Sequence, residues 1–321
     1  MFKPDRIRFL LSPVIVLCSA VLCSAPLYAD GTIHSTPIEF SHGKPFVMVM
    51  INGKGPFRFV VDTGTGGEAF VTSELADQLN LPSAGQTRLS DPSGQGSRRV
   101  EMVLLQSLEV AGVEFTAVRA TKHALSEADG TCQGLLGFAL FRDYLLTLDY
   151  PQHRMTLASG ALEPDGEHSV LPFRMPDGIP IVPLRVGNLR IDALIDSGGF
   201  GLSLPESFVS HLKFSSTPVV FSNAHSLSTR FEVKAGILAS DVTIGGYTFT
   251  RPFVEINPAF PLANFGSCPM QGFIFTFDQR NSLVRLEARQ TKMHLSATPT
   301  PVRREYAPAI ESLDPTLVPV G

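Results

Sequence analysis

The sequence predicts an all-β protein, mainly antiparallel, in which two homologous β lobes are joined in one chain and helices are few and short. Two observations carry this prediction. Short runs of β-branched and aromatic residues alternate with turns that contain Gly, Asn or Pro, a pattern typical of antiparallel strands joined by hairpins. In addition, a unit of roughly 130 residues occurs twice. The composition agrees, because 44% hydrophobic and 17% charged residues are values of an ordinary globular chain.

The repeat is clearest where each unit begins. Residues 45–67, "PFVMVMINGKGPFRFVVDTGTGG", align without a gap with residues 179–201, "IPIVPLRVGNLRIDALIDSGGFG". The two stretches place Asp62 and Asp196 at the same position, 134 residues apart. A later block of the first unit recurs at a separation of 129 residues. Because a duplicated fold places equivalent residues about an axis, we expect the two units to be related by a pseudo-two-fold axis.

Four segments follow from the repeat and its flanks. Residues 1–29 have the basic start, apolar core and small-residue cleavage site of a secretory signal. The first β lobe is expected to cover residues 30–160 and the second to cover residues 161–290, followed by a flexible Pro-rich tail at 291–321. We therefore expect an exported protein, periplasmic or secreted, with no stable membrane association after cleavage. A retained N-terminal membrane anchor is the alternative, because the apolar stretch is slightly long.

Charge and cysteine content narrow the function classes. Removal of residues 1–29 takes away three basic residues and one acidic residue, so the net charge falls from −4 to −6. An acidic chain is a poor nucleic-acid partner, and none is expected. The sequence has no HExxH and no Cys-x-x-Cys motif, so it predicts neither a metal site nor a cofactor. Cys132 and Cys268 lie outside the signal, and they either pair in an oxidising compartment or stay as thiols.

The stretch "FRFVVDTGTGG" (residues 57–67) places an Asp directly after a strand-like run. Alone, it indicates a strand that ends in a β-turn capped by Asp62. Its second copy at Asp196 changes the interpretation, because equivalent turns near a pseudo-two-fold axis face each other. Two close carboxyl groups share a proton and titrate as a pair. One of them can then accept a proton from a water that attacks a carbonyl group, while the other protonates the oxyanion.

These motifs resemble those of the pepsin-like and retropepsin-like aspartic peptidases. The resemblance extends to about residue 288 and rests on "VVDTGT" at 60–65, "LIDSGG" at 194–199 and "GLLG" at 134–137. It implies the two-lobed aspartic protease fold and an aspartic endopeptidase whose catalytic pair is Asp62 and Asp196. Since both aspartates belong to one chain, no dimer is required.

The resemblance also implies roles for the residues around the pair. Two hydroxyls would cross-link the loops, two glycines would allow the tight turns, and one hydroxyl would bind the outer oxygen of Asp62; these are Thr63 and Ser197, Gly64 and Gly198, and Thr65. The substrate would be an extended peptide, added as a strand beneath a hairpin flap. The candidate flap has Ser93, Gly94 and Gln95 near its tip. An ordinary surface turn is the alternative for that segment.

The sequence departs from the family pattern in three places, and the first two motivate an alternative function. Position 199 is Gly where a hydroxyl residue is usual, and the second hydrophobic-hydrophobic-Gly segment is eroded to Asn264-Phe265-Gly266. The candidate flap lacks the Tyr of pepsin-like flaps, which favours the retropepsin-like branch. The alternative is a catalytically weak or silent peptide-binding protein that keeps the groove. A carboxylate-lined sugar hydrolase is a third hypothesis, against which the Asp-bearing turns argue.

Overall fold

The computed structural model describes residues 32–90, 97–123, 132–225 and 230–295. Strands dominate these residues, so the prediction of an all-β protein with few short helices is confirmed. None of the helices in the described ranges is long and apolar enough to span a bilayer. The predicted signal at 1–29 and residues 296–321 of the predicted tail lie outside the described residues.

Among the described residues, eleven strands precede residue 160. In chain order they are β1 Ile33–Pro37, β2 Glu39–Ser41, β3 Lys44–Ile51, β4 Lys54–Asp62, β5 Ala69–Val71, β6 Ser83–Ser90, β7 Ser97–Val110, β8 Val113–Lys122, β9 Gly134–Gly137, β10 Leu145–Asp149 and β11 Arg154–Ala158. The helical elements here are α1 Ser73–Leu79 and a 3-10 turn at Phe138–Phe141.

The described strands after residue 160 are β12 Val170–Pro172, β13 Ile181–Val186, β14 Leu189–Asp196, β15 Leu202–Pro205, β16 Val219–His225, β17 Arg230–Ile237, β18 Val242–Ile244, β19 Tyr247–Phe249, β20 Phe253–Asn257, β21 Ala263–Gly266, β22 Phe273–Asp278, β23 Leu283–Ala288 and β24 Lys292–Met293. The helical elements here are 3-10 turns at Pro176–Gly178 and Glu206–His211, and the short α2 Ser267–Met270.

The first sheet has eight strands in the order β2-β3-β4-β9-β5-β8-β7-β6. Its hairpin β3–β4 turns at Asn52 and Gly53, which both have positive φ, as the tight hairpin turns that follow strand twist require. Side chains alternate between two faces along β4: Phe57, Phe59 and Val61 are buried in the main core, and Val60 is buried in a smaller cluster on the other face. The strand that carries Asp62 is therefore fixed in register by its buried face.

The second sheet has ten strands in the order β16-β17-β20-β15-β21-β14-β13-β18-β19-β24. The last strand was not expected, because the prediction assigned residues from 291 onwards to a flexible tail. Backbone hydrogen bonds from Thr248 to Thr291 (2.8 Å) and from Phe253 to Leu295 (2.9 Å) hold this segment against the sheet. The boundary at residue 290 is corrected accordingly: the sheet continues to Met293.

Both aspartates end a central strand with the same local pairing. Strand β4 is antiparallel to β3 and parallel to β9, and Asp62 lies opposite Gly137. Strand β14 is antiparallel to β13 and parallel to β21, and Asp196 lies opposite Gly266. The two halves of the repeat therefore bring each Asp to the end of a strand beside a Gly.

The third sheet has six strands and joins the two halves in the order β1-β11-β10-β22-β23-β12. Strands β10 and β22 are antiparallel, and Thr147 lies opposite Thr276 with 3.1 Å between their hydroxyl oxygens. Phe138 from the first half packs edge-on against Phe277 from the second, with ring centroids 5.3 Å apart. One hydrophobic core consequently extends through both halves.

Candidate active site

The loops after Asp62 and Asp196 fold back over the neighbouring strands, and glycines make this possible. A Cβ atom on Gly137 would collide with the Gly67 carbonyl, and one on Gly266 would lie 2.7 Å from the Gly201 carbonyl. Only a residue without a side chain lets the backbones approach this closely. The Gly that ends each parallel strand therefore sets the position of the Asp-bearing loop above it.

The two loops are cross-linked by a reciprocal set of hydrogen bonds. The Thr63 amide donates to Ser197 Oγ, and the Ser197 amide donates to Thr63 Oγ1, each over 3.0 Å. The Thr63 hydroxyl donates to the Ile195 carbonyl and the Ser197 hydroxyl to the Val61 carbonyl, each over 2.7 Å. Both side chains are fully buried. Each hydroxyl thus bonds both a backbone donor and a backbone acceptor of the opposite loop.

This cross-link brings the two carboxyl groups into contact. A Cβ atom on Gly64 would lie 2.5 Å from Asp196 Oδ1, and one on Gly198 would collide with the Asp62 carboxyl group. The two carboxyl groups lie close enough for each to influence the ionisation of the other. Each carboxyl group therefore rests against the glycine of the opposite loop, and each aspartate is only 3% exposed.

Each carboxyl group receives two hydrogen bonds. At Asp62, the Gly64 amide donates to Oδ1 and the Thr65 hydroxyl donates to Oδ2, both over 2.9 Å. At Asp196, the Gly199 amide donates to Oδ1 over 2.7 Å, and the side-chain amide of Asn264 donates to Oδ2 over 2.6 Å.

The contact from Asn264 was missed in the sequence, where this residue was interpreted only as erosion of a hydrophobic segment. A signal was available. The repeat aligns Asn264 with Leu135, and one polar residue at an otherwise apolar strand position next to a catalytic candidate indicates a contact. Gly199 therefore does not leave the outer oxygen of Asp196 without a side-chain donor.

Burial and mutual repulsion govern the ionisation of the pair. Burial, followed by the charge of Asp196, raises the pKa of Asp62 to about 7. Burial also raises the pKa of Asp196. The Lys44 ammonium, itself 3% exposed at the start of β3, acts in the opposite direction and lowers the pKa of both carboxyl groups. The pair is therefore suited to hold one shared proton near neutral pH.

Lys44 and Tyr150 complete the buried polar surroundings, and neither was predicted. The Ser267 hydroxyl donates to the Gly43 carbonyl, which fixes the start of β3 against the second half of the chain. It also lies 3.4 Å from the Tyr150 hydroxyl. Burial raises the pKa of Tyr150 above its usual value, so this phenol stays neutral. No motif marks either residue in the sequence, because their position depends on contacts between the two halves.

The flap candidates Ser93, Gly94 and Gln95 lie outside the described residues. The strands that lead to them do form a hairpin, since β6 and β7 are antiparallel up to the pair Ser90 and Ser97. A second hairpin, β16–β17, occupies the corresponding place in the second half of the chain. In the described structure, Cys132 and Cys268 are not joined by a disulfide; the Cys132 thiol donates to the Gly134 carbonyl over 3.3 Å.

An all-β chain in which paired aspartate loops meet has the fold expected of an aspartic protease. Residues 47–140 match the model of a protein family described as aspartyl protease. The matched stretch includes the Asp62 loop and the parallel strand that ends at Gly137. No curated protein matches the chain. The family match supports an aspartyl protease family for this protein and a general aspartic protease function.

We predict that the cross-link stabilises the fold. Thr63→Val and Ser197→Ala each leave a buried amide and a buried carbonyl without a partner, so each should lower the free energy of unfolding by about 1–3 kcal/mol. The double variant should lose less than the sum, because the loops separate once one hydroxyl is gone. Urea denaturation measures all three. Thr116→Val, at an exposed position, is the control and should change stability by less than about 0.5 kcal/mol. If each single variant lowered the free energy of unfolding only slightly and the double variant lowered it by the exact sum, the two hydroxyls would not form a shared cross-link.

We also predict that the buried pair makes stability depend on pH. The pKa of Asp62 is about 7 in the folded protein against an ordinary 3.8, so the folded state binds the proton more tightly. The resulting stabilisation is complete below about pH 4 and is lost as the pH rises through about 7, with a slope of up to about 1.4 kcal/mol per pH unit for one proton.

Asp62→Asn should reduce this slope, so the stability of the variant relative to the original protein should increase from about pH 4.5 to about pH 7.5. Urea denaturation at several pH values measures the difference. Asp192→Asn, on the same strand as Asp196 but exposed, should leave the slope unchanged. Equal slopes for the original protein and Asp62→Asn would exclude a raised pKa at this position.

Proposed function

We propose that the protein is an exported aspartic endopeptidase of the pepsin-like or retropepsin-like type, with Asp62 and Asp196 as its catalytic pair. One observation carries the proposal: two aspartates from equivalent positions of a repeat meet in a buried site, and each carboxyl group has its own donors. Burying two carboxyl groups together is costly, and an isolated structural role would be served better by apolar side chains.

In the proposed reaction, the ionised member of the pair takes a proton from a water while the water oxygen bonds to the carbonyl carbon of a peptide. The protonated member gives its proton to the carbonyl oxygen, which produces a neutral gem-diol and leaves the pair singly protonated. In the second step, the amide nitrogen takes the proton from the carboxyl group and the C–N bond breaks. One gem-diol hydroxyl returns its proton to the carboxylate, so the pair ends as it began.

The two halves would act as two lobes related by a pseudo-two-fold axis, so a single chain supplies the whole site. The contact between Thr147 and Thr276 supports this arrangement, because these paired residues are themselves 129 apart, the separation of the repeat in this block. Equivalent residues meet in this way at a two-fold axis. The reciprocal bonds of Thr63 and Ser197, 134 residues apart, have the same property.

The proposed substrate is a protein or peptide segment in extended conformation, bound between the lobes as an added strand. The hairpins β6–β7 and β16–β17 support this proposal, since β6 and β16 are the outermost strands at one end of their sheets and offer backbone groups for pairing. Export rests on the signal features of residues 1–29 and would place the substrate in the periplasm or outside the cell.

The test is cleavage of casein by protein expressed from the full 321-residue chain and purified as the host processes it. The original protein should release peptides somewhere between about pH 4 and about pH 7.5. Asp62→Asn and Asp196→Asn should each lower kcat/KM by roughly a thousandfold or more, because each removes one half of the proton transfer. Asp192→Asn is the matched control and should retain activity.

Cleavage by a homogeneous Asp62→Asn preparation with a kcat/KM close to that of the original protein would refute the assignment of the pair. Tight binding of peptides without turnover at any pH would favour the alternative, a peptide-binding protein that keeps the groove. The hydrogen bonds that Asp196 receives remove one motive for that alternative, which was based on the absence of a hydroxyl at Gly199.

A further inference from the structure

The two halves of the site support their aspartates by different means. In the first half, the outer oxygen of Asp62 is bound by the hydroxyl of Thr65, and the neighbouring parallel strand contributes the apolar Leu135. In the second half, the position of the hydroxyl is Gly199, and the position of the leucine is Asn264. The two halves thus differ at two positions, 199 and 264, and both positions lie beside Asp196 Oδ2.

The residue types at positions 199 and 264 depend on each other, because their side chains would occupy the same space. A Cβ atom on Gly199 would lie 2.8 Å from the Asn264 side-chain nitrogen and would also collide with Asp196 Oδ2. Asn264 can therefore reach the carboxylate only because residue 199 has no side chain. Conversely, the loss of a hydroxyl at residue 199 leaves an oxygen that Asn264 binds over 2.6 Å.

The side-chain amide of Asn264 lowers the stability of the fold. Its carbonyl oxygen Oδ1 is buried and has no hydrogen-bond partner in the described part of the chain. Rotating the amide by half a turn would direct this oxygen at the carboxylate and replace an attraction by a repulsion. A leucine, as at Leu135, would bury no such group. An unpaired buried oxygen destabilises a fold, so the amide is explained by what it does to Asp196.

The chemistry of the donors differs in a way that matters for a shared proton. Both oxygens of Asp196 accept from N–H groups, over 2.7 Å from Gly199 and 2.6 Å from Asn264, and neither group can accept a proton in return. At Asp62, one of the two donors is the Thr65 hydroxyl, which can reverse and accept from a protonated carboxyl group. N–H donors at these short distances favour the ionised acceptor.

We propose that Asn264 is a positioning residue that holds Asp196 as the ionised member of the pair, so that Asp62 carries the shared proton. This inference rests on the proposed function for its meaning in catalysis. In the hydrolysis described above, Asp196 is then the base that takes the proton from water, and Asp62 is the acid that protonates the carbonyl oxygen.

The other groups that act on the pair do not reverse this order. The Lys44 ammonium from β3 lowers the pKa of both carboxyl groups. Tyr150, from the turn after β10, is neutral because burial raises its pKa. Each aspartate accepts one hydrogen bond from a backbone amide and one from a side chain. The backbone donors are alike in the two halves, whereas the side-chain donor is a hydroxyl at Asp62 (Thr65) and an amide at Asp196 (Asn264).

The experiment follows the carboxyl carbons of the two aspartates by NMR in full-chain protein labelled with ¹³C at aspartate Cγ. Asp62→Asn and Asp196→Asn assign the two signals. In the original protein, the Asp196 signal should be that of a carboxylate at a pH where the Asp62 signal is still that of a carboxylic acid. In Asn264→Ala, the midpoint of the Asp196 signal should rise by about one pH unit, the effect of losing one donor.

Two further variants separate this role from simple packing. Asn264→Leu restores the residue type of Leu135; it should fold with an unchanged or higher Tm and show the same rise in the Asp196 midpoint. Asn257→Ala, which removes a buried amide elsewhere in the same sheet, is the matched control and should leave both midpoints unchanged.

The inference is overturned if Asp196 carries the proton in the original protein, or if neither Asn264→Ala nor Asn264→Leu moves the Asp196 midpoint. The NMR readout requires no turnover. If casein is not cleaved but the midpoints shift as expected, the proposed peptidase function fails and the role of Asn264 stands. If casein is cleaved and the midpoints do not shift, the role of Asn264 fails alone.

Discussion

The reciprocal bonding of Thr63 and Ser197 is the constraint on which the site depends. Each hydroxyl holds an amide and a carbonyl of the opposite loop, so neither loop can move without breaking bonds in both halves. The carboxyl groups that flank these hydroxyls repel each other when ionised, and a flexible pair of loops would separate them. The cross-link keeps them together, and the glycines at 64 and 198 allow the contact because a Cβ atom at either position would enter the opposite carboxyl group. The cross-linked backbone thus holds the two carboxyl groups together although they repel each other when ionised.

Burial of the pair is tolerated because the surroundings offset part of its electrostatic cost. Two aspartates that are 3% exposed lose most of their hydration, and this loss dominates the rise in the pKa of each. A buried ammonium at Lys44 and four hydrogen-bond donors oppose it. These opposing effects make the site suited to hold one shared proton between the two carboxyl groups. The position of Lys44 depends on the contact between Ser267 and Gly43, so the electrostatics of the pair again require both halves of the chain.

The sequence was informative where function is carried by a repeated local pattern and uninformative where it is carried by a contact between distant residues. Asp62 and Asp196 were found because a turn recurs at a fixed separation, and strand content followed from alternating runs of apolar residues. Asn264 was misinterpreted because its partner is 68 residues away, and a polar residue in a hydrophobic segment resembles decay until the contact is seen. Lys44 and Tyr150 have no local signal at all. The strand at Lys292–Met293 was assigned to the tail because two residues cannot show a period.

The differences between the halves acquire a meaning when the chain is compared with a pair of identical subunits. Identical subunits must present the same donors to both aspartates, so the order of ionisation is decided only when a substrate breaks the symmetry. A duplicated single chain has no such restriction, and each half can change on its own. Here one half retains a hydroxyl beside an apolar residue, Thr65 and Leu135, and the other has a glycine beside an amide, Gly199 and Asn264. Each combination fills the space around one carboxyl group, and exchanging a single member would create either a collision or an unbound oxygen. Duplication within one chain therefore permits the two aspartates to be surrounded by different hydrogen-bond donors.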